Sequence, residues 1–133
     1  MKTDPHPLMV CSTELGNDIV FIEFQDNLRV DLAVAQRIVA SRLDFTENRK
    51  HYVVIDISNV RQVTTEAREF MQRPDAGLKN ILGAAFIASN PVSALLANIF
   101  VKAPKDFEAK FFSNKKNALE WIYTNRQKPE PVL

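Results

Sequence analysis

A single cysteine, Cys11, leaves no thiol pair for an internal disulfide, so no oxidising compartment is implied. Histidine is almost as scarce. His6 and His51 lie far apart and no Cys or His pair has ligand spacing, which removes the common metal-site patterns. The same scarcity leaves a serine or cysteine nucleophile without a local base. No catalytic residue, metal or cofactor is therefore expected, and His51 reads as a surface or strand-end residue. The three glycines, Gly16, Gly77 and Gly83, form neither a GxGxxG nor a P-loop pattern. Charge of one sign is missing too. The 17 Lys+Arg against 16 Asp+Glu leave a net charge of +1, without the electrostatic footprint of a dedicated nucleic-acid binder. No apolar run reaches the roughly 20 residues that a bilayer span requires. The opening MKTDPHPLMVCSTEL lacks the basic start and apolar stretch of a signal peptide. A cytoplasmic protein with no membrane span is the expectation.

What the sequence does contain is patterned hydrophobicity. With 133 residues, 46% hydrophobic and 25% charged, it has the composition of one soluble domain. That domain is expected over 1–126, with the polar tail 127–133 frayed. LMVCST at 8–13 and DIVFIEF at 18–24 flank ELGN, whose Gly16 and Asn17 tolerate positive φ, and this predicts a hairpin. Asp31 is placed to cap a helix through about Leu43, burying Ala35, Ile38 and Val39. DFTENRK follows as a loop. HYVVIDI at 51–57 and ILGAAFIAS at 81–89 are continuous apolar runs, the mark of central parallel strands covered on both faces. A helix opened by Thr64 and Thr65 lies between them and stops before Pro74. Asn90-Pro91 starts another helix, whose Val92, Leu95, Leu96, Ile99 and Phe100 form an apolar face. FEAKFFS at 107–113 reads as an edge-side strand, and Ser113 as the cap of a last helix burying Ala118, Leu119 and Ile122.

The order is β-β-α-β-α-β-α-β-α. It predicts an α/β domain with a mixed, mainly parallel five-stranded sheet and helices packed against it. Asp56 ends a central strand, where a carboxylate serves either a ligand at the sheet edge or the N–H groups of the following turn. Lys102, Lys105, Lys110, Lys115 and Lys116 surround the last strand. They read as solubilising charges that discourage edge pairing, against a weaker reading as an anion site.

The stretch DISNVRQVTTEAREF, 56–70, carries a resemblance. It is similar to the SpoIIAA-like (STAS) domains of anti-sigma factor antagonists, a fold also shared by STAS/SEC14-like domains. In that pattern Thr65 falls at the phosphoacceptor serine, Thr64 at the aspartate before it, Glu66 at the second serine and Ala67 at a glycine. The chain also resembles a group of small uncharacterised bacterial proteins at VIDISNVRQVTTEAREF, IASNPVSALLANIF and FFSNKKNALEWI. The resemblance implies a SpoIIAA-like fold and a regulatory protein-interaction module with an unidentified protein partner. Its candidate surface comprises Thr65, Thr64, Ser58, Glu66, Arg68 and Arg61. Arg61 and Arg68 are placed to pair with a phosphate there, and one threonine is accounted for by helix capping alone. The SEC14-like relatives imply an alternative, a small-molecule or lipid-binding domain with an apolar pocket lined by residues such as Phe86, Leu96 and Phe100. A homodimer is also expected, from neutral charge and the surplus of Phe111, Phe112, Trp121 and Tyr123 near the end of the chain.

Overall fold

The computed structural model describes residues 8–126, so the frayed tail expected at 127–133 lies outside the described residues. Strands β1 (Met9–Ser12) and β2 (Ile19–Phe24) form the expected antiparallel hairpin. Its turn places Gly16 at a φ of +148°, a conformation that L side chains rarely adopt. Next come β3 (Leu28–Val30) and helix α1 (Leu32–Phe45), capped by Asp31, whose carboxylate accepts the Val34 N–H at 2.9 Å. Strands β4 (His51–Asp56) and β5 (Val60–Val63) precede helix α2 (Thr65–Met71). The chain closes with β6 (Ile81–Ile87), α3 (Pro91–Lys102), β7 (Ala109–Phe112) and α4 (Lys115–Arg126).

The main sheet has the order β1-β2-β4-β6-β7, and every pairing but the opening hairpin is parallel. The central strands β4 and β6 are adjacent and parallel, with Val53 opposite Ala84 and Val54 opposite Ala85. Successive residues of β4 serve opposite faces, as a two-sided strand must. Val53 joins the core beneath α1, α2 and α3, and Val54 joins the core beneath α4.

Four expectations need correcting. The element order omits β3 and β5, which pair in parallel as a separate two-stranded sheet with Val30 opposite Val63. Three- and four-residue strands are too short for an alternating pattern to register, and their pairing joins segments some thirty residues apart in sequence. His51 does open β4, as the strand-end alternative has it, but it is 2% exposed, which removes the surface alternative. Asn114, rather than Ser113, caps α4 by accepting the Asn117 N–H at 2.9 Å.

Helix α3 faces otherwise than its apolar arc predicts. Its buried residues are Ser93 and Ala97, Leu96 and Phe100 are half-buried beside them, and Val92 and Leu95 are 43% and 64% exposed. The helix is thus turned by roughly a quarter revolution from its apolar arc, at 100° per residue. Its start is closed by a capping box and tied by one contact to the turn after β4. Asn90 accepts the Ser93 N–H at 2.9 Å, Ser93 Oγ accepts the Asn90 N–H, and Asn90 Nδ2 donates to the Ser58 carbonyl at 2.8 Å.

Candidate functional site

Between the sheet and helices α1 to α3 lies a cavity of ≈ 90 Å³. Its floor is built from one face of the central strands, with Ile22 from β2, Ile55 from β4, and Ala84 and Phe86 from β6. The small side chain of Ala84 leaves a gap that a larger residue would fill. Leu96 and Phe100, one helical turn apart on α3, form a wall, and the Phe86 and Phe100 rings stack at 6.1 Å between centroids with an 18° interplanar angle. The three residues anticipated for an apolar pocket therefore come together. Val60 and Val63 of β5, together with Met71 at the end of α2, continue the lining. The short second sheet thus acts as part of the enclosure. One water needs about 10–15 Å³ of such space, so the cavity holds several times that volume between hydrocarbon walls.

One charged group reaches this region from the core. Arg42 of α1 is 3% exposed and has no carboxylate within ion-pair distance among the described residues. Its guanidinium instead donates to the carbonyls of Lys79 (2.8 Å), Gly77 (3.1 Å) and Ala76 (3.4 Å), and Nη1 lies 2.9 Å from His51 Nε2. Burial pushes its pKa down to about 10, which still leaves it charged at neutral pH. Because arginine has no acceptor, His51 Nε2 must accept from it, and His51 Nδ1–H then donates to the Arg49 carbonyl at 2.8 Å. The imidazole is held neutral, its pKa lowered to about 4 chiefly by burial and further by Arg42, against the Arg49 hydrogen bond. This cluster ties the 76–79 turn to α1 and so holds one end of the cavity wall. The sequence carried a signal for it, since Arg42 falls four residues after Ile38 on the buried stripe of α1.

The candidate phosphoacceptor surface lies along the β4–β5–α2 stretch. Thr64 is the cap of α2, its hydroxyl accepting the Ala67 N–H at 3.2 Å. Thr65 is the first helical residue and is exposed, as is Glu66. Arg68 is half-buried, and Arg61 is exposed on β5, where Nε donates to Asn27 Oδ1 at 3.1 Å. Ser58 belongs to a different junction, its hydroxyl 2.8 Å from Ser89 Oγ at the start of α3. Asp56 takes the turn role, accepting the Ser58 N–H at 3.0 Å. No group of His, Cys, Asp and Glu able to hold a metal occurs among the described residues. None of their helices is long and apolar enough to cross a membrane.

These features define an α/β domain of SpoIIAA-like fold. The chain belongs to the family described as a domain of unknown function (DUF7793), which matches residues 13–126. In structure it is similar to an uncharacterised protein of the DUF3478 family with a SpoIIAA-like fold from Shewanella loihica PV-4. The two superpose with a TM-score of 0.61 at 16% identity, covering 91% of this chain and 98% of the other. No curated protein matches the chain.

Proposed function

We propose that the protein is a non-catalytic binding module and that the cavity beneath α1 to α3 takes a small apolar group. The observation that carries this reading is an unfilled space walled by hydrocarbon in a domain whose other sheet face is closely packed by α4. Such a space forfeits dispersion contacts that a ligand restores. Titration calorimetry with 1-hexanol tests it: wild type binds, and Ala84→Leu, which fills the floor, loses binding while still unfolding cooperatively. Leu96→Trp serves the same purpose from the wall if Ala84→Leu does not fold. No heat of binding with wild type at either of two well-separated temperatures overturns the reading, since apolar burial changes the heat capacity.

A regulatory protein-interaction module of STAS type is the second reading, supported by the exposed Val92 and Leu95 of α3 and the exposed Thr65. On that reading Thr65→Glu and Leu95→Asp change the partner captured by the folded protein. Identical capture by both variants and wild type removes it.

A further inference from the structure

A wider cleft of ≈ 610 Å³ adjoins the apolar cavity, and Leu78, Ile81, Lys105 and Phe107 line both. The chemistry of the walls changes across those shared residues. On the inner side the surface is almost wholly hydrocarbon, and the one guanidinium, Arg42, is engaged by three carbonyls and His51. On the outer side Lys50, Asn80 and Asp106 contribute alongside Pro74, Leu82 and Pro104, so that wall is mixed. Lys105 therefore stands where the apolar wall gives way to a mixed one, and Lys50 lies in the wall of the outer cleft. Neither has a carboxylate within ion-pair distance among the described residues. Lys105 donates to the Val101 carbonyl at 3.0 Å and to the Ala103 carbonyl, both at the end of α3. An ammonium has three donors, so this anchorage fixes its place and leaves one N–H for a ligand. Partial burial also lowers the Lys105 pKa.

We infer that the protein binds a small amphipathic monoanion, its apolar part in the inner cavity and its carboxylate in the outer cleft at Lys105 and Lys50. The inference rests on the cavity being a binding site and adds the chemistry of the ligand's head. Asp106 makes the match to a single negative charge: with Lys50 and Lys105 it leaves the cleft one positive charge in excess. The ≈ 90 Å³ inner space suits a short chain or one ring and has no room for the paired acyl chains of a phospholipid. The cleft is open and partly polar, so the head keeps part of its hydration, and its attraction to the lysines is screened by salt.

Hexanoate and 1-hexanol share a chain and differ in the charge of the head, which makes them the test pair. Both are titrated by NMR at neutral pH and low salt into wild type, Lys105→Gln, Lys50→Gln and Lys105→Arg, each shown to be folded by its melting curve. Hexanoate is expected to bind wild type several-fold more tightly than 1-hexanol, with added salt weakening hexanoate alone. Both Gln variants are expected to lose the preference and its salt dependence, read as the ratio of hexanoate to 1-hexanol affinity within each variant, and Lys105→Arg keeps it. Equal affinity of the two ligands for wild type, or a preference that survives both Gln variants, overturns the monoanion and leaves the cavity as a neutral site. Absence of binding by either ligand removes the cavity reading itself, and this inference with it.

Discussion

Thr64 and Thr65 are chemically identical neighbours with different structural roles, because only the first has the extended backbone of a cap, at φ −69° and ψ 161°. Its hydroxyl satisfies an N–H that the helix itself leaves open. Thr64→Ala is expected to cost about 0.5–2 kcal/mol in chemical denaturation, and Thr64→Ser little, because the accepting oxygen remains. Thr65→Ala should stay within about 0.5 kcal/mol, as for other exposed positions. Equal losses at the two sites would contradict this assignment. His51 supports a second expectation at the same scale. Its folded pKa of about 4 lies below the ordinary 6.5, so the folded state favours the neutral ring. Stability from this group is fully present above pH 6.5 and is lost as pH falls from there toward 4, by on the order of 3 kcal/mol in all. His51→Gln keeps an acceptor for Arg42 without the titration. Urea midpoints measured from pH 4 to 8 should therefore fall less steeply on the acid side in the variant. Parallel curves would contradict a neutral buried His51.

At the scale of elements, α3 shows how a local rule and a tertiary contact divide the outcome. Its start was legible, since Asn90-Pro91 combines a cap with a residue suited to the first turn. Its facing was not. Periodicity points to the largest side chains, whereas the helix, tied to the turn after β4 by Asn90 Nδ2 on the Ser58 carbonyl, presents Ala97 to the core. Leu95→Ser is accordingly expected to shift stability by no more than about 0.5 kcal/mol. Ala97→Leu, which overfills a fully buried position, should cost about 1–3 kcal/mol. A larger loss from Leu95→Ser than from Ala97→Leu would reverse the facing. The main strands were legible for a complementary reason: Val53-Val54 and Ala84-Ala85 are buried on both faces, so the apolar run is continuous. Strands β3 and β5 have only their pairing with each other to define them, and nothing local announces that pairing. The candidate site divides in the same way. Leu96 and Phe100 stand one helical turn apart and Phe86 lies on a strand, so periodicity could group them. The outer cleft draws Lys50, Asn80 and Lys105 from three separated connections, and no sequence pattern joins those.

Across the whole molecule the two faces of the sheet differ. Helix α4 covers one face alone, with Ala118 and Ile122 fully buried against Val54 and Ala85. Three helices and the small β3–β5 sheet cover the other, and their meeting leaves the cavity. The aromatic residues Phe111, Phe112, Trp121 and Tyr123 are half-buried within the chain, where Phe112 and Trp121 pack at 5.9 Å between centroids. Among the described residues the most exposed large apolar side chain is instead Leu95, next in sequence to the cavity-lining Leu96. That adjacency offers a direct discrimination between an internal binding site and a surface patch. With methyl-labelled protein and 1-hexanol, intermolecular NOEs from the ligand chain are expected at the methyl groups of Ile55 and Leu96 and absent at those of Val92 and Leu95. NOEs confined to Val92 and Leu95, or none at any methyl group, would contradict a binding module built around this cavity.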